Sequence, residues 1–114
     1  MKYVNMTPHS ILVRKKDGSE FKIEPSGKVF RLEEVDEVVG SVDGVEVVER
    51  KFSVSSIPEE FNDPEAVVIV SLPALMALKT VGLKHEALIV APDTGSGAIR
   101  DGEGRIIGTT RFIK

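Results

Sequence analysis

Asp-Gly occurs three times in this chain, at Asp17-Gly18, Asp43-Gly44 and Asp101-Gly102, each time between runs rich in β-branched residues. Glycine takes positive φ without a Cβ penalty, and aspartate satisfies the amides of a turn with its own carboxylate. Asp-Gly between apolar runs is therefore the strongest short-range signal for a β-hairpin. Three such turns in 114 residues leave little room for helix. The pattern predicts a β-rich α+β fold: a largely antiparallel hairpin or meander sheet, or a small, partly open barrel, with one short buried helix.

The first hairpin can be read in register. A three-residue loop at Lys16-Asp17-Gly18 sets Val13 against Phe21, Ile11 against Ile23 and Arg14 against Glu20. A two-residue loop would set Val13 beside Lys22 and waste the apolar face. Pro25-Ser26-Gly27 then breaks the strand, and the alternation in Lys28-Val29-Phe30-Arg31-Leu32 predicts another. The second hairpin joins residues 38–42 to residues 45–49 around Asp43-Gly44. The acidic stretch 33–37 either continues the 28–32 strand as an edge strand or bends away, and residues 53–62 read as irregular. In the third hairpin, a Gly102-Glu103-Gly104 loop pairs Ile99 with Ile107 and Asp101 with Arg105.

Ala66-Val67-Val68-Ile69-Val70 is apolar throughout, the mark of a strand covered on both faces. Residues 73–81 form the one convincing helix, with Pro73 in its first turn, Ser71 or Leu72 as cap and Gly82 just past its end. Its apolar residues face every direction, so it is expected to be enclosed. The predicted core is Val13, Phe21, Ile23, Phe30, Val68, Val70, Leu75, Leu78, Ile89 and Ile107.

Composition narrows the classes. Residues 1–114 are expected to form a single domain, long enough for a core without disulfides or metal. A formal charge of −3 gives no basic footprint for nucleic acid. No apolar run reaches membrane-spanning length, and no signal peptide is evident, so a cytoplasmic protein without a membrane partner is expected. The absence of Cys, Trp and Gln, with Glu and Lys in excess of Asp and Arg, points to a thermophilic source.

Chemical motifs are sparse. Asp93-Thr94-Gly95, followed by Arg105-Ile106-Ile107-Gly108, resembles the catalytic segments of dimeric aspartic proteases. That resemblance implies a hydrolase acting through Asp93. Only twelve residues separate Gly95 from Gly108, however, which leaves no space for a flap, and Pro92 interrupts the presenting strand. Gly95-Ser96-Gly97 lacks the following helix that a phosphate loop needs. His9 and His85 have no partner at metal-ligand spacing, and no nucleophile is set beside a base. No catalytic residue, metal ligand or cofactor is assigned.

Asn5-Met6-Thr7-Pro8-His9, residues 25–31, residues 68–71 and residues 104–108 together resemble a family of small uncharacterised bacterial and phage proteins. These begin with an Asn-Leu-Thr-Pro-His segment, where this chain has Met6 for Leu. The resemblance implies a free-standing domain and no particular activity.

The expected function is non-enzymatic: binding of a small anionic ligand or nucleotide at strand-end loops, through His9, Arg31, Asp93 and Arg100. The alternative is a protein-interaction or assembly module. The valines around Asp43-Gly44 face both ways, so that hairpin needs cover from a second copy, giving a homodimer, or from residues 53–64.

Overall fold

The run at residues 66–70 sits where its two apolar faces demand, in the middle of a layered body. The computed structural model describes residues 2–54 and 56–114. In chain order the elements are strands β1 (Lys2–Asn5), β2 (Ile11–Arg14), β3 (Glu20–Ile23), β4 (Glu33–Val42) and β5 (Val45–Ser53). A 3-10 turn at Glu59–Asn62, strand β6 (Ala66–Ile69) and helix α1 (Leu72–Val81) follow. Strands β7 (Leu88–Pro92), β8 (Ala98–Arg100), β9 (Ile106–Thr109) and β10 (Phe112–Ile113) complete the chain. One sheet has the order β1-β6-β7-β10 and another β3-β2-β9-β8; neither closes into a barrel, and β4 with β5 form a separate ribbon. This is the β-rich α+β class expected from the sequence.

Successive residues of a strand point to opposite faces. Val68 and Val70 accordingly join Leu75, Leu78 and Ile89 in a core beneath α1, while Val67 and Ile69 join Val13, Ile23 and Val90 between the sheets. Helix, first sheet and second sheet are thus three layers, with β6 in the middle one. The three hairpins and the pairing of β7 with β10 are antiparallel. Three further pairings, β1 with β6, β6 with β7 and β2 with β9, are parallel. Parallel neighbours need a crossover, which α1 provides between β6 and β7.

Local signals are met where they are strong. In the first hairpin Ile11 faces Ile23, Val13 faces Phe21 and Arg14 faces Glu20. Ser71 caps α1, its Oγ accepting from the Ala74 N–H at 3.3 Å, and Gly82 closes the helix in the left-handed region at φ 70°. The helix is less enclosed than its composition suggested. It buries Ala74, Leu75, Ala77 and Leu78, whereas Met76 is exposed.

Other expectations are corrected. Residues 28–32 form no strand. Phe30 is buried against Phe61, with ring centroids 5.0 Å apart, and its N–H donates to the Met6 carbonyl. Alternation there reports the direction of one anchoring side chain, not a paired neighbour. Phe21 is only half-buried. Ile107 is exposed because β9 carries an extra residue: Arg100 opposes Ile106 and Ile99 opposes Gly108. A Cβ on Gly108 would lie 2.6 Å from the Leu12 carbonyl oxygen, so β9 can approach β2 only with glycine there. Core residues without a sequence signal include Phe61 and Met6, the first wholly buried inside the segment that reads as irregular.

Candidate functional site

The three parallel strands β1, β6 and β7 end side by side, and their carboxyl ends open onto a cleft of about 380 Å³. Such strand ends are where open sheets with helical crossovers place ligands. Thr7, His9, Ser71 and Thr94 supply polar groups to its lining, and Leu72 and Ile107 are among the apolar ones. His9 is exposed in the loop after β1.

Asn5 sets the shape of that loop. It is 1% exposed at the end of β1. Its Nδ2 donates to the His9 carbonyl at 2.8 Å and to the Ile23 carbonyl at 3.2 Å. Its Oδ1 accepts from the Thr7 N–H at 3.0 Å and the Thr7 hydroxyl at 2.7 Å, and its own carbonyl accepts from Ser26. A buried amide uses both its donors and its acceptor to lock a Thr-Pro turn to the end of β3. The Asn-x-Thr-Pro-His segment is therefore a structural tie whose product is a fixed His9 backbone.

Asp93 follows β7 and is buried, but its carboxylate is fully engaged. Oδ1 accepts from the Gly95 N–H at 2.8 Å; Oδ2 accepts from the Gly97 N–H at 3.1 Å and from Arg111 Nε. Arg111 also donates to the Ser96 hydroxyl, and the Thr109 hydroxyl donates to the Asp93 carbonyl. A Cβ on Gly97 would sit 2.7 Å from Asp93 Oδ2, which explains the glycine. The carboxylate thus ties its own loop to the last turn of the chain. Arg111, which sequence reasoning missed, is its counter-ion.

The Arg111 guanidinium, followed by the amides of Gly95 and Gly97, holds the Asp93 carboxyl below its ordinary range. A depressed carboxylate pKa contributes stability that is complete above the unfolded value, near pH 4, and is lost as pH falls through the folded value. Several other acids carry the same sign, Asp36 beside Arg50 and Asp63 beside Lys2 among them. A single substitution isolates the share of Asp93. The stability difference between the wild type and Asp93→Asn is expected to stay constant from pH 7 to about pH 4 and to narrow below that. Urea titrations across this range check it; a difference unchanged at pH 2.5 would exclude the ion pair as its cause.

Arg31 and Arg100 lie apart from this group. Exposed Arg31 borders a second cavity, of about 540 Å³, across residues 71–73 from the cleft. Arg100 donates to the Gly104 carbonyl at 2.8 Å within the third hairpin. Of the four candidate residues, His9 borders the cleft, Asp93 sits beside it between Pro92 and Thr94, Arg31 lines the adjoining cavity, and Arg100 serves a turn.

The β4–β5 ribbon is the other feature of note. It is an arm: the molecule measures 52 × 38 × 22 Å, with a radius of gyration of 16.6 Å. A rounded chain of this length has about 13–14 Å. One face of the arm carries the pairs Asp36/Arg50 and Val38/Val48; the other carries Val35/Lys51, Gly40/Val47 and Val42/Val45, with a bulge at Val39. Seven valines, at positions 35, 38, 39, 42, 45, 47 and 48, are exposed by 39% to 67%, and none belongs to either core cluster. The described residues of the 53–64 segment do not cover them, so that expectation is corrected. Only Phe52, at the root of the arm, is half-buried, lining the second cavity with Phe30 and Pro73.

Among the described residues no group of three or more His, Cys, Asp or Glu is placed to hold a metal ion. No helix among them is long and apolar enough to cross a membrane. Compared with protein-family models, with curated proteins and with solved structures, the chain finds no match.

Proposed function

We propose that this chain is a non-enzymatic assembly module that self-associates as a homodimer through the β4–β5 arm. The observation that carries this reading is the exposure of seven valines on one arm, distributed over both of its faces. Isolated exposed apolar residues are ordinary, but seven gathered on one extended element mark an interaction site. A free two-stranded ribbon is also marginal in water, so an arm of ten and nine residues fits one completed by a partner. Two-fold closure is the commonest solution for identical chains.

Size-exclusion chromatography with light scattering tests this directly. The expected mass is twice 12.4 kDa at micromolar concentration. A monomer mass across the accessible concentration range would overturn it.

A second reading is favoured by the position of the strand-end cleft. A small anion or nucleotide would bind there beside His9 and Thr7, with Arg31 reaching from the adjoining cavity. Thermal-shift screening against phosphate, small carboxylates and nucleotides separates the readings. Stabilisation by one of these ligands that His9→Ala removes would support the cleft; no shift with any of them would leave the arm as the functional surface.

A further inference from the structure

We propose that two copies join edge to edge through β5, antiparallel, about a two-fold axis passing through Val48. The proposal rests on the assembly reading above and names its mode.

The two edges of the arm, neither of which pairs with a further strand, differ in charge. β4 carries Glu33, Glu34, Asp36 and Glu37 with no basic residue, and a bulge at Val39 breaks its register. Acids and bulges are the devices that keep a sheet edge from pairing. β5 carries Glu46, Glu49, Arg50 and Lys51, both signs, in unbroken register from Val45 to Ser53. Pairing of β5 with its own copy closes at two chains; pairing of β5 with the partner's β4 would leave an unpaired edge on each copy for further chains.

Symmetry then restricts the register. An antiparallel pair related by a two-fold axis normal to the sheet keeps each face on the same side, so the axis must pass through a residue. Glu46, Glu49, Arg50 or Lys51 on the axis would oppose like charge to like. An axis at Val45 or Phe52 overlaps too little of the strand to matter. Val47 on the axis sets Glu46 against the partner's Val48, and Val45 against the partner's Glu49. Val48 on the axis also leaves a valine against Glu49, setting Val47 against the partner's Glu49 and Val45 against the partner's Lys51, but it alone sets Glu46 against the partner's Arg50, twice by symmetry.

Arg50 has room for that third carboxylate. Its Nε and Nη2 donate to Asp36 at 2.8 and 3.1 Å, whereas Nη1 lies 3.6 Å from Glu34, beyond hydrogen-bond range. The same register places Val38 and Val48 in line with the partner's Val48 and the partner's Val38. This gives a four-valine row across a four-stranded sheet, flanked by the two ion pairs.

The chain has no cysteine, so single-cysteine variants report register without interference. Residues opposite each other in an antiparallel pair have Cα atoms about 4.5–5.5 Å apart, within disulfide reach. With the axis at Val48, the two copies of residue 47 are roughly 8 Å apart, beyond it. Under mild oxidation Val48→Cys is expected to give mostly covalent dimer, and Val47→Cys little. Cross-linking of Val47→Cys as fast as Val48→Cys would overturn the register. So would a wild-type dimer mass with no cross-link at either position. A wild-type monomer mass by light scattering would overturn the assembly reading itself, which keeps the two failures distinct.

Discussion

Asn5→Ala is expected to destabilise the fold by about 3 kcal/mol, lowering the melting midpoint by roughly 15 °C. The side chain is 1% exposed, and its loss strips a donor from the His9 and Ile23 carbonyls and an acceptor from the Thr7 amide. Each buried polar group left without a partner costs about 1–3 kcal/mol, which outweighs the small cavity that alanine would leave. Asn5→Asp has nearly the same shape but turns a carboxylate oxygen towards two carbonyl oxygens. It is expected to be worse than alanine at neutral pH and to recover as pH falls. Its folded pKa would be raised, so acidification protonates the folded state in preference to the unfolded one. Thermal melts of the three proteins at pH 7 and pH 5 check this. A loss below about 1 kcal/mol for Asn5→Ala would show that the turn is held by something else.

Val48→Asp is expected to weaken the dimer about 100-fold, equivalent to about 2.8 kcal/mol, while leaving the body folded. In the proposed register the substitution puts two carboxylates face to face on the axis. Val48 lies outside both core clusters, so within one chain the loss is its cross-strand contact with Val38, about 0.2–1 kcal/mol. Val42→Asp is the control. Val42 is equally free of the cores, but it sits near the tip of β4, away from the paired edge, and its substitution is expected to leave the dissociation constant nearly unchanged. Light-scattering dilution series measure both. Weakening by Val42→Asp without weakening by Val48→Asp would favour face-to-face packing through the Val42/Val45 face over edge pairing.

The candidate site was legible in part. The Thr-Pro-His turn singles out His9 in the sequence, and the structure places it on the border of the strand-end cleft. Arg100 was identified as a cation near a glycine-rich loop, yet it serves the carbonyl of its own hairpin. A positive charge in sequence carries no record of which oxygen it will meet. Asp93 was noticed for the company of Thr94 and Gly95. What defines it is Arg111, eighteen residues away, and no local pattern connects the two. The valines of the arm are legible as two-faced; that no described residue covers them is decided only by the packing.

The sequence by itself determined the elements whose causes are local. Positive φ at Gly18 and Gly44 follows from Asp-Gly, the limits of α1 from Ser71 and Gly82, and the central place of β6 from an uninterrupted apolar run. In each case the deciding interactions lie within a few residues or in a composition that only one environment suits. Tertiary structure alone decided the parallel pairing of β1, β6 and β7, the burial of Phe61 and Met6, and the turning of Ile107 to solvent by a bulge. Those outcomes depend on which distant strand or side chain arrives alongside. Alternation and turn chemistry set the direction of a side chain, but not the neighbour that covers it.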